Sequence, residues 1–188
     1  DLEGVKVALQ SGADVNAKRF GPSSVRLTSM RGGFTGLMWA VRNNHNSVVD
    51  LLLNTPNIDV NQKDNEGNCA LHQAVNSKNN EALKLLLAVP NIDVNSVNNY
   101  GWSAVWWAVH KNNIEGLKLL LDVPNINVNI VTKKGKSALF QAVLVYPYCK
   151  NNEALKLLLN FPSIDVNIAD NYGKSALLRA LILSLIHI

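Results

Sequence analysis

Cysteine is scarce in this chain. Only Cys69 and Cys149 occur, at places that do not correspond within the repeats described below, so no disulfide framework is expected and a reducing, cytoplasmic compartment is. Long apolar runs are missing too. None approaches the roughly 18 residues of a membrane-spanning helix, so no membrane span is expected and the chain reads as soluble. Charge is not concentrated: the 18 Lys and Arg that give a net charge of +4 are spread along the whole sequence, as on solvated helix faces. A nucleic-acid-binding surface would gather them, so no nucleic-acid partner is expected. Finally, no CxxC, HExxH, Gly-rich phosphate loop or GxSxG is present, and His45, His72 and His110 do not fall at corresponding places. With no nucleophile, base and orienter brought together, the chain reads as a non-enzyme with no cofactor and no metal.

What is abundant is repetition. "NNEALKLLLAVPNIDVN" at Asn79 to Asn95 is followed by "NNIEGLKLLLDVPNINVN" from Asn112 and "NNEALKLLLNFPSIDVN" from Asn151. The Val-Asn pairs ending at Asn16, Asn61, Asn95, Asn129 and Asn167 are spaced by 45, 34, 34 and 38 residues, and Gly33, Gly67, Gly101, Gly135 and Gly173 by 34, 34, 34 and 38. A period of 34 thus carries two insertions, of 11 residues before Gly33 and of 4 residues between Gly135 and Gly173. Such an array buries its core between neighbouring copies.

Within one copy, Ala70, Leu71, Ala74 and Val75 recur at helical spacing, and so do Ala82, Leu83, Leu86 and Leu87. Each repeat is therefore predicted to be two short amphipathic helices. Asn79 and Asn80 supply an N-cap, with Glu81 in the first turn where a carboxylate favours the helix dipole. Pro90 stops the second helix, and the Asn/Asp/Gly segment that follows is turn chemistry, giving a hairpin-like finger.

These features resemble the ankyrin-repeat family. "GNCALHQA" is similar to its G-x-T-P-L-H-x-A pattern, as are "GFTGLMWA", "GWSAVWWA", "GKSALFQA" and "GKSALLRA", and "GADVNAK" resembles its inter-repeat ending. The proline of the pattern is absent throughout and the His survives only as His72, which the resemblance makes a structural hydrogen-bonding residue. The implied fold is all-α, an ankyrin-repeat solenoid of stacked helix-turn-helix units joined by β-hairpin-like fingers. A single array is expected over residues 1–182. It comprises a partial repeat (1–18), a repeat whose finger carries the 11-residue insertion (19–63), two regular repeats (64–97 and 98–131), a repeat with the 4-residue insertion (132–169) and a partial repeat (170–182). The first insertion, with Arg19, Arg26 and Arg31, is expected to enlarge a finger; the second, near Tyr146, Pro147 and Tyr148, to lie between two helices. The chain lacks an initiating Met and is expected to be an internal fragment. Leu183 to Ile188, "LSLIHI", resembles the translation of a transposase end sequence used in sequencing adaptors and is expected to be read-through.

The resemblance implies a non-catalytic protein-protein interaction module that binds a partner protein through the concave finger and first-helix face. The alternative is a regulatory or targeting segment of a larger enzyme, ubiquitin-ligase adaptor or channel. The implied contact residues are Glu66, Asn68, Tyr100, Trp102, His110, Lys111, Lys133, Lys134, Lys136, Tyr172 and Lys174. Aromatic anchors beside lysines point to a partner with an acidic surface. Trp102 is expected to face solvent, and Trp106 and Trp107 to be packed. Asn61, Asn95 and Asn167 stand in a context resembling that of hydroxylated ankyrin-repeat asparagines.

Overall fold

The computed structural model describes residues 2–19, 32–145 and 152–186. Ten helices occur among them: α1 (Leu2–Gln10), α2 (Gly36–Arg42), α3 (Asn46–Leu53), α4 (Ala70–Ser77), α5 (Asn80–Leu87), α6 (Ala104–His110), α7 (Ile114–Leu121), α8 (Ala138–Val145), α9 (Glu153–Leu159) and α10 (Ala176–Ile186). The two-residue strands β1 (Lys18–Arg19) and β2 (Phe34–Thr35) pair antiparallel, Lys18 opposite Thr35. The chain divides into two compact units, Asp1–Asp93 and Val94–Ile188.

The predicted two-helix repeat is what forms. The first helices α2, α4, α6 and α8 each start after an oxygen- or sulfur-bearing residue on the 34-residue period. Thr35 Oγ1, Ser103 Oγ and Ser137 Oγ each accept the backbone N–H three residues on, at 3.2 Å. At the same position in α4 stands Cys69, whose N–H donates to His72 Nδ1 at 3.2 Å. His72 thus reaches back to cap its own helix, and both residues are buried. Burial pushes the Cys69 thiol up, but the adjacent His72 ring and its hydrogen bonds outweigh that and leave it below the ordinary thiol value. Two of the second helices, α5 and α7, are capped by asparagines: Asn79 Oδ1 accepts from Ala82 N–H and Asn113 Oδ1 from Gly116 N–H, both at 3.0 Å.

In the first unit, α2 packs on α3 and α4, α4 on α5, and α3 on α5 and α1. Leu37, Met38, Val41, Val49, Leu71, Leu83 and Leu86 are the large side chains this stacking removes from water. Asn79 Nδ2 ties the layers together by donating to the Val41 carbonyl at 2.9 Å and to Asn46 Oδ1 at 2.8 Å. In the second unit, α6 packs on α7 and α8, α8 on α9 and α10, and α7 on α9. Its core holds Val105, Trp106, Trp107, Leu117, Leu120, Leu139, Phe140 and Leu158.

The 4-residue excess falls between the end of α8 at Val145 and the start of α9 at Glu153. Residues 146–151 themselves, with Tyr146, Pro147 and Tyr148, lie outside the described residues, as do Arg26, Arg31 and the rest of 20–31. The short β1–β2 pair flanks that first insertion.

Candidate partner-binding surface

The fingers are built around one side-chain oxygen each. Asp64 Oδ1 accepts the N–H groups of Glu66 (2.9 Å) and Asn68 (2.8 Å). Asn98 Oδ1 does the same for Tyr100 (2.9 Å) and Trp102 (3.0 Å), Thr132 Oγ1 for Lys134 (3.3 Å) and Lys136 (3.1 Å), and Asp170 Oδ1 for Tyr172 and Lys174, both at 3.0 Å. In the last two fingers the residues bonded this way, Lys134, Lys136, Tyr172 and Lys174, line a pocket with their side chains while their backbone is held. These four acceptors were not among the residues expected from sequence.

In the second unit successive fingers hydrogen-bond to each other. Lys133 N–H donates to the Tyr100 carbonyl at 3.0 Å, and Asn171 N–H to the Lys134 carbonyl at 3.1 Å. The approach is so close that a Cβ on Gly101 would lie 2.9 Å from Lys133 N, and one on Gly135 2.8 Å from Asn171 N. Both glycines also have positive φ, +77° and +74°. A side chain there is excluded twice, by conformation and by space.

Two features sit on this finger row. The first is an aromatic stack. Trp102 lies against Tyr100 (centroids 4.9 Å apart, planes at 30°) and against Trp106 (4.5 Å, 12°), and Trp106 carries His110 at 5.0 Å. Trp107 meets Trp102 edge-on at 5.0 Å, and Lys111 Nζ stands 5.3 Å from the Trp107 ring centroid. The expectation that Trp102 faces solvent is corrected: it is half-buried, because stacking between two rings removes its faces from water at a gain no solvated pose offers. Tyr100, half exposed, is the outermost ring. Partial burial of His110, with Lys111 beside it second, holds its pKa below the ordinary histidine value, so the stack ends on a neutral imidazole near pH 7. Gln141 Nε2 lies 3.2 Å from His110 Nδ1 and ties the stack to the next first helix.

The second feature is a pocket of about 240 Å³ lined by Lys134, Lys136, Phe140, Leu144, Asp170, Tyr172, Lys174 and Arg179. It brings together four of the expected contact residues and adds Arg179 from α10, which the sequence reading did not single out. Lys136 Nζ stands 5.3 Å from the Phe140 ring centroid. Lys133 is exposed beside it but does not line it.

Glu66 and Asn68 belong to the first unit. Asn68 is corrected as a contact residue: it is only 1% exposed, and its Nδ2 faces the Asp64 carboxylate at 3.3 and 3.4 Å. Glu66 is half-buried and accepts from Asn68 Nδ2 at 3.4 Å.

The repeated asparagines form a separate ladder. Each donates through Nδ2 to a carbonyl of the following repeat and accepts through Oδ1 from an N–H two residues further along. Asn61 bonds Asn91 O (2.7 Å) and Asp93 N (2.8 Å), and Asn95 bonds Asn125 O (2.9 Å) and Asn127 N (2.8 Å). Asn16 and Asn129 repeat the pattern. Asn167 does not: its N–H is held by Asp165 Oδ1 at 2.9 Å, but its side chain makes no such bridge among the described residues.

Two-helix repeats, fingers on a common period and asparagine bridges between copies match one known family. Its profile, ankyrin repeats (3 copies), covers residues 1–98 and again 72–146. The chain belongs to the ankyrin-repeat family. Among solved structures this ankyrin-repeat chain is similar to EF0377, an ankyrin repeat protein, at 26% identity and a TM-score of 0.80, over 100% of this chain and 89% of that one. It is equally similar to an ankyrin repeat domain from Acinetobacter baumannii AYE, at 26% identity and a TM-score of 0.81, over 98% of this chain and 87% of that one. No curated protein matches it. Ankyrin repeats are generally protein-protein interaction modules and typically non-catalytic. Among the described residues, no three His, Cys, Asp or Glu are grouped to hold a metal ion, and no helix is long and apolar enough to cross a membrane.

Proposed function

We propose that this ankyrin-repeat chain is a non-catalytic module that binds a partner protein through the fingers and first helices of its second unit, and that the partner presents acidic residues there. The observation that carries the reading is the gathering of Lys134, Lys136, Lys174 and Arg179 around one pocket whose single carboxylate, Asp170, is already occupied by two finger N–H groups. Cations that outnumber their one acidic neighbour attract an anionic partner and set its register, while the neighbouring Tyr100 and Tyr172 rings offer apolar area. Four cations around a compact pocket, rather than along a stripe, suit an acidic side chain better than a nucleic-acid backbone. The scarcity of cysteine, with Cys69 buried as a free thiol, supports a cytoplasmic setting.

The test is charge reversal against a partner identified by crosslinking and mass spectrometry from the source organism. Binding should weaken steeply with added salt and be lost in Lys134→Glu/Lys174→Glu. Undiminished binding by that folded double variant would refute the reading.

A further inference from the structure

The charge balance of the pocket goes further than a generally acidic partner. Lys134, Lys136, Lys174 and Arg179 face one carboxylate, an excess of three positive charges in about 240 Å³. Among the described residues none of the four cations forms an ion pair. Arg179 Nε is buried yet has no hydrogen-bond acceptor. A buried guanidinium N–H without an acceptor is costly, so its place in the wall of a cationic pocket is that of a group waiting for an anion. Asp170 does not fill that role, because it is only 8% exposed and its Oδ1 is engaged by Tyr172 and Lys174 N–H.

A partner's Asp or Glu brings one negative charge and two oxygens, too little to balance the site. A phosphorylated side chain brings a charge of about −1.5 to −2 at neutral pH and three strongly accepting oxygens, enough for the Arg179 fork and two ammonium groups together. The volume also exceeds a bare anion's needs, and Phe140 and Leu144 give it an apolar wall for the carbon atoms next to the phosphate. We propose that this pocket receives a phosphorylated side chain of the bound protein, so that partner phosphorylation switches binding on. The inference rests on the acidic-partner reading and deepens it.

Phenyl phosphate and benzoate are suitable probes, titrated into the whole ¹⁵N-labelled chain at low ionic strength while the Arg179 Nε–H resonance is followed. Phenyl phosphate should shift that resonance saturably and bind at least about tenfold more tightly than benzoate, the worth of one additional charge-assisted hydrogen bond. Arg179→Gln should weaken phenyl phosphate by at least about tenfold. Lys174→Gln, at an exposed position where the fold is not at stake, should do the same. Lys156→Gln, an exposed lysine of α9 away from the pocket, should change nothing. Equal affinity for the two probes, an unmoved Arg179 resonance, or equal losses in Lys156→Gln and Lys174→Gln would each overturn the proposal. Its failure would leave the charge-reversal test against the protein partner unaffected, so the two readings fall separately.

Discussion

Replacing Asn95 by Ala tests whether the asparagine ladder holds neighbouring repeats together. The change deletes one donor and one acceptor, the bonds to Asn125 O at 2.9 Å and from Asn127 N–H at 2.8 Å. A typical net contribution is about 0.5–1.5 kcal/mol per bond, and since both partners are exposed enough to recover water, the lower half of the summed range applies: about 1–2 kcal/mol. For a chain of this size that corresponds to a fall in Tm of about 2–8 °C. Asn167→Ala supplies the control in the same unit, because the same residue type is removed from the same repeat position where no bridge exists; it should cost no more than about 0.5 kcal/mol. Urea unfolding followed by tryptophan fluorescence is the natural assay, since Trp102, Trp106 and Trp107, three of the four tryptophans, report on the second unit. Equal losses in the two variants would refute the bridging role and leave Asn95 a turn residue like any other.

Trp102→Ala should cost about 1–3 kcal/mol by exposing the facing surfaces of Tyr100 and Trp106, with a loss of near-ultraviolet dichroism; unchanged stability would mean the stack is energetically idle. Gly135→Ala, forced to φ +74° against Asn171 N, should destabilise the second unit more than Gly173→Ala, which shares the positive φ but meets nothing within 4 Å; thermal melts of the pair decide it. Because His110 has a lowered pKa in the folded chain, the unfolded state binds the proton first. Its contribution to stability is therefore complete above pH 6.5 and falls away as the pH drops below that value, and His110→Gln should lose less stability than the parent between pH 7.5 and 5.5. For the asparagines, co-expression with an asparaginyl hydroxylase should add an oxygen atom at Asn61, Asn95 or Asn167; an unchanged intact mass would count against modification.

The helices were legible because their evidence is periodic: apolar spacing, Asn caps, Pro stops and glycines every 34 residues all agree, and packing then has little left to choose. The finger acceptors were not, since Asp64, Asn98, Thr132 and Asp170 share no residue type. They share only an oxygen at a constant distance from the following glycine, and that spacing was the available signal. Trp102 was misplaced for a different reason. Its position just after the finger glycine normally points into solvent in the family, although Trp102, Trp106 and His110 follow one another at intervals of four, the separation that stacks side chains on one helical face. Asn68 failed because the family frame marks a row and not which members of it turn inward. Arg179 escaped notice because the pocket it joins is completed by a finger one repeat away, a tertiary fact with no local trace.

The finger geometry bears on how this chain could change partners over time. At Lys134, Tyr172 and Lys174 the finger hydrogen bonds require only a main-chain N–H, which any residue but proline supplies. The side chains there are exposed, so each can be replaced singly with the finger's hydrogen bonds kept. Position 102 is the exception. There the indole is part of the core stack, and a change must be accommodated by Tyr100 and Trp106 together. Under the proposed binding mode, side chains of the two later fingers should therefore vary freely, while the finger carrying Trp102 should change only through paired replacements.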